Sequence, residues 1–126
     1  MLHPKLLIDY ESMARFMAVI KLLGGEHALL SNNIRFFFNP ITRKLEPIGR
    51  EFNIQTNVDL NIFQDYFYKL LMADPEFVKL YVGNLIRISK RKYLDNFFKN
   101  IDLELKQNTR FIHRQKPYHT LDKNFF

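Results

Sequence analysis

A chain of 126 residues, 47% of them hydrophobic and 25% charged, has the composition of one ordinary globular domain, which excludes wholesale disorder and leaves no room for a second complete one. The absence of cysteine excludes disulfides, thiolate catalysis and cysteine zinc sites. The net charge of +6 would suit an acidic partner, but it is spread along the chain and makes no concentrated patch.

No apolar run reaches the roughly twenty residues that span a bilayer, and MLHPKLLIDYESM has no secretory-signal pattern. From Asp9, which can cap a helix, the apolar residues Met13, Phe16, Met17, Ile20 and Leu23 recur at spacings of three and four. Gly24 and Gly25 end that helix. After a polar loop, IRFFF predicts a strand, NPITRK a turn and LEPIG a returning strand, so residues 34–49 form a β-hairpin. Pro47 makes the second strand short or an edge strand, and the alternation of Phe36, Phe37 and Phe38 predicts a first strand buried on both faces. REFNIQTN predicts a loop. Helical spacing resumes from Asp59 through Leu60, Phe63, Phe67, Leu70 and Leu71. Asp74 followed by Pro75 starts a second helix carrying Phe77, Leu80, Tyr81, Leu85 and Ile88. A third run around Lys90 to Phe111 carries Phe97, Phe98, Ile101 and Leu105, and the tail is irregular. The expected fold is α+β and mostly helical, with one hairpin between an N-terminal helix and a C-terminal set of helices. Residues 1–112 make one domain and 113–126 the tail.

The order of loop and hairpin suggests chemistry. Protein kinases place an acidic base and, five residues on, a metal-binding asparagine in a loop; a short hairpin and a second acidic, magnesium-holding residue follow. Phosphoryl transfer needs these types because a carboxylate orients the attacking hydroxyl and hard oxygen ligands hold the ion that neutralises the phosphates. Here Glu26 lies in the loop, Asn32 and Asn33 follow, and Glu51 comes directly after the hairpin.

The run Asp9 to Asn53, above all GGEHALLSNNIRFFFNPITRKLEPIGRE, resembles the CotH kinase family, atypical kinase-like proteins first known from spore coats. Asn33, the strand Ile34 to Phe38, the turn Asn39 to Lys44 and the run Leu45 to Gly49 carry the likeness. The helices from Leu60 to about Leu105 look like that family's C-terminal part. The resemblance implies a kinase-like C-terminal lobe, part of a longer protein, which transfers phosphate from ATP with magnesium to a protein hydroxyl. It implies Glu26 as general base, His27 at the nucleotide, and Asn33 and Glu51 on the metal. Two departures accompany it: Arg50 and Glu51 stand where the family has an aspartate after the second strand and Glu26 where it has a catalytic aspartate in the loop, and no glycine-rich strand pair or lysine-bearing strand precedes the first helix.

Each of these residues also has a plainer role. Glu26 and Glu51 fit exposed loop carboxylates, His27 a loop-packing residue, and Asn33 the closure of an Asx-type turn at the strand entrance. The cluster Lys90, Arg91 and Lys92 reads as a solvated helix face, and the four histidines have no zinc-binding spacing. The rival to the kinase reading is a non-catalytic module that keeps the scaffold for structure or for binding an acidic protein. Nucleic-acid binding rests on charge and aromatics alone.

Overall fold

The computed structural model describes residues 2–50 and 60–115, and these form a mostly helical α+β structure with one antiparallel hairpin. The chain divides into two units, the first ending at Ile88 and the second beginning at Ser89.

The first unit opens with a one-turn helix, α1 (Pro4–Leu7), and continues into α2 (Tyr10–Leu23). Asp9 caps α2 as expected, accepting the Ser12 N–H at 3.0 Å. Gly24 ends it in the left-handed conformation, φ 64°, where a side chain would be strained. The stripe Met13, Ala14, Met17, Ala18 and Ile20 is buried, so α2 supplies the centre of the core. The polar loop is more ordered than its composition suggests. It contains a 3-10 turn, Glu26–Leu29, whose Ala28 and Leu29 are buried.

β1 (Arg35–Asn39) and β2 (Lys44–Ile48) pair with Phe36 opposite Pro47, Phe37 opposite Glu46 and Phe38 opposite Leu45. The turn between them uses Asn39, whose Oδ1 accepts the Ile41 and Thr42 N–H groups, and Arg43 at φ 57°. On its far side β2 receives the chain's own N-terminal segment: Ile8 bridges Leu45 in parallel, and the Asp9 N–H donates to the Leu45 carbonyl at 2.9 Å. The expectation of a first strand buried on both faces is corrected here. Phe36 is half-buried and meets Phe67 edge-on at 5.7 Å, but Phe37 and Phe38 are more than half exposed. Phe36 and Phe38 share one face and Phe37 lies on the other, so the helical layer covers one face only at the Phe36 end and leaves Phe38 on that face, and Phe37 on the opposite one, in the open.

The helix expected from Asp59 to Leu71 is broken in two. A 3-10 helix (Leu60–Gln64) is followed by α3 (Tyr66–Met72). The cause is Asp65, which is extended and caps α3 by accepting the N–H groups of Phe67 and Tyr68 at 3.0 and 3.2 Å. Its carboxylate also receives the Ser31 N–H at 2.9 Å and the Ser31 hydroxyl at 2.8 Å. One residue therefore starts a helix and fastens the polar loop to it. α4 (Pro75–Ser89) begins at the predicted Asp74–Pro75 signal. Phe77, Tyr81 and Ile88 are its buried face, and Phe77 lies edge-on to Tyr10 at 5.2 Å.

In the second unit, the run expected around Lys90 to Phe111 is two helices, α5 (Arg91–Asn100) and α6 (Asp102–Gln115). Ile101 leaves helical geometry while its N–H still bonds to the Phe97 carbonyl. Asp102 and Glu104 in the first turn of α6 favour a new start there. α6 also extends into the segment read as irregular tail. Arg91 and Lys92 are exposed as expected, Arg91 pairing with Asp95 and Lys106 with Asp102.

Asp65 joins two segments 34 positions apart, so its loss should exceed that of an ordinary cap. Asp65→Ala is expected to lower stability by about 2 kcal/mol, read as a lower urea midpoint with an unchanged slope. Asp65→Asn, which keeps an accepting oxygen, should lose less.

Candidate functional site

The loop that carries the sequence-predicted site starts where α2 ends. Gly24 turns the chain back, and Glu26, two residues on, points into the first unit. It is 3% exposed, the one charged residue among the described residues that is buried. Lys21, one turn before the end of α2, places its Nζ 2.9 Å from Glu26 Oε1. The lysine is partly exposed, so its stem covers the carboxylate while its ammonium reaches water. Oε2 is buried and makes no hydrogen bond to the protein.

The charge of Glu26 is felt on two other elements. Burial, then the proximity of Tyr68, then Glu26 push the Tyr81 phenol of α4 up to about 12. Burial raises Tyr68 of α3 as well; Lys21 opposes that rise and Glu26 adds to it. The carboxylate thus faces α3 and α4 from the end of α2. Sequence reasoning placed Glu26 on a surface loop and missed Lys21, Tyr68 and Tyr81. The signal available was the Lys21–Glu26 spacing across a helix-ending glycine pair.

Asn33 is half-buried and its Nδ2 donates to the His27 carbonyl at 2.9 Å, while its backbone N–H donates to Leu30 at 2.8 Å. This is not the Asx-type turn expected there, in which the side-chain oxygen would accept an N–H further on; the bond from the amide nitrogen instead reaches back six residues and ties the strand entrance to His27. It also turns the amide oxygen of Asn33 away from that contact, leaving a hard oxygen of the type magnesium takes. Glu51, the other proposed metal ligand, lies outside the described residues. Among the described residues no group of three or more histidines, aspartates or glutamates is placed to hold a metal.

Two more carboxylates brace the fold. Burial opposes ionisation of Asp65, yet its bonds from Ser31, Tyr68 and Phe67 outweigh this and hold its carboxyl below the usual aspartate range. Asp74 accepts the Tyr10 hydroxyl at 2.7 Å and lies 3.3 Å from His3 Nε2, while its Oδ1 caps α4 through the Glu76 N–H. His3 Nδ1 accepts the Lys5 N–H, so neutral His3 carries its proton on Nε2, facing Asp74. The Tyr10 bond, opposed by burial, lowers the Asp74 carboxyl; burial and Asp74 raise the Tyr10 phenol.

A general base must come within hydrogen-bond reach of the proton it takes. Glu26 is enclosed and already paired, so the geometry suits a brace and not a base. The pair should be visible in stability. Glu26→Ala is expected to cost about 2 kcal/mol, because the lysine can turn to water but the vacated interior remains, measurable by chemical denaturation. Tyr10, Tyr68 and Tyr81 all hold their protons more firmly folded than unfolded. The unfolded chain sheds them near the ordinary phenol value of about 10. Stability is therefore fully present below that pH and falls as pH rises toward about 12, where Tyr81 ionises in the folded chain. Tyr81→Phe should flatten that alkaline loss in a series of unfolding midpoints.

No protein-family model matches the chain, no curated protein does, and no solved structure does.

Proposed function

We propose that this chain is a kinase-like module of the CotH type whose polar loop braces the fold, and that it acts by binding a protein partner instead of transferring phosphate through Glu26. The observation that carries this reading is the burial of Glu26 against Lys21. A carboxylate 3% exposed, with a lysine on one oxygen, braces the loop against the end of α2 and offers no open position to a substrate hydroxyl. The basic balance of the chain, 19 lysines and arginines against 13 acidic residues, favours an acidic surface on the partner.

A second reading is ATP- and magnesium-dependent phosphoryl transfer to a protein hydroxyl. What favours it is Asn33: its amide nitrogen is held by the His27 carbonyl, and its Oδ1 is an oxygen of the hard type magnesium takes. In that reading Asn33 and Glu51 hold magnesium, which would neutralise the phosphates, and a residue other than Glu26 takes the proton.

Calorimetry of the purified chain with ATP, with and without magnesium, separates the two. The module reading predicts no magnesium-dependent binding. Binding that needs magnesium and disappears in Asn33→Ala, with the fold intact by circular dichroism, would overturn it in favour of the second.

A further inference from the structure

The hairpin has two edges, and they are treated differently. Along β2 the outward-facing positions are Leu45 and Pro47. The Leu45 carbonyl is taken by the Asp9 N–H, and Pro47 has no N–H to offer. The β2 edge is therefore closed by the chain's own N-terminal segment and by a proline, two of the usual devices that keep an edge from recruiting another strand.

β1 has neither device. In an antiparallel pair, residues opposite each other point their backbone groups the same way, either toward each other or both outward. Since Leu45 and Pro47 point outward, so do their partners Phe38 and Phe36, on the other side of the hairpin. Among the described residues, no hydrogen bond reaches the N–H or C=O of Phe36 or Phe38 along that edge. The side chains above it are exposed as well, Phe37 by 53% and Phe38 by 55%. Arg35, the charged residue of the strand, is folded back onto the carbonyls of Asn32 and Ile34 and does not guard it.

We propose that this edge pairs with the same edge of a second copy, joining two hairpins into a four-stranded antiparallel sheet. The sequence of β1 is self-complementary about Phe37. Antiparallel pairing centred there sets Phe36 against Phe38 of the other copy, and Phe38 against Phe36. Both are outward-facing positions, so each pair exchanges two backbone hydrogen bonds. Centring on Phe36 or Phe38 would use only one of the two outward positions opposite itself. With the centre at Phe37, Phe37 meets its own symmetry mate as the closer, non-hydrogen-bonded pair, and Arg35 meets Asn39, so no like charges oppose. The resulting interface is isologous, as closed dimers require. It is independent of the reading of Glu26.

The chain's lack of cysteine gives a clean test. Cα atoms of a non-hydrogen-bonded pair lie about 4.5 Å apart, within disulfide reach. Phe37→Cys is expected to form a covalent dimer under mild oxidation, whereas Ile41→Cys, at a turn position 90% exposed, should not. The parent chain should sediment as a dimer at high concentration. Phe38→Pro, which removes an outward N–H and no hairpin bond, should sediment as a monomer with an unchanged circular dichroism spectrum. A parent chain that stays monomeric at every concentration, cross-linking at position 37 no faster than at 41, or a Phe38→Pro variant still dimeric would each overturn the proposal.

Discussion

The fold of the first unit depends on a carboxylate inside it. A helix that ends in two glycines could release the chain in many directions, but Glu26 returns to the last turn of the same helix and pairs with Lys21 at 2.9 Å. Because the glutamate is buried and the lysine is not fully so, the pair has a preferred side: the chain after Gly24 turns its carboxylate inward, with Lys21 at the outer edge. Burying a charge is costly without a partner. That cost makes the pairing a constraint on how the loop enters the core.

The other acidic side chains extend the same principle. Asp65 draws Ser31 to the start of α3, and Asp74 draws Tyr10 to the start of α4. In each case a capping residue spends its spare oxygen on a distant segment, so helix start signals and tertiary ties are the same atoms. Polar residues in the loop are thereby accounted for as structure. Glu26 Oε2 also makes no hydrogen bond to the protein, but it is enclosed, whereas Asn33 is only half-buried, which is why the metal reading concentrates on Asn33.

The sequence was informative wherever local rules act alone. The Asp9 cap, the Gly24 stop, the hairpin with its Asn39–Pro40 turn and the Asp74–Pro75 start all occur where short-range signals put them. It misled where a single residue changes the local answer. Asp65 lies inside a continuous helical pattern, and its competing cap divides the helix; periodicity does not register that competition. The aromatic strand misled for a different reason. Alternation shows that both faces are apolar, but whether both are covered depends on how much helix is packed nearby, which no window of sequence contains. Of the candidate site, positions were readable and environments were not. Glu26 stands in the loop as expected, but it is buried and paired with Lys21, with its charge felt at Tyr68 and Tyr81, an environment that exists only in three dimensions.

The central claim is that Lys21 and Glu26 act on one another as a structural pair. A double-mutant cycle with Lys21→Met and Glu26→Gln, measured by urea unfolding, tests it directly. A structural pair predicts that each single change destabilises, Lys21→Met strongly because it strands a buried carboxylate, and that the double variant recovers at least about 1 kcal/mol of the summed loss. Strict additivity, with Glu26→Gln as stable as the parent, would contradict the account and return Glu26 to the role of a free loop carboxylate.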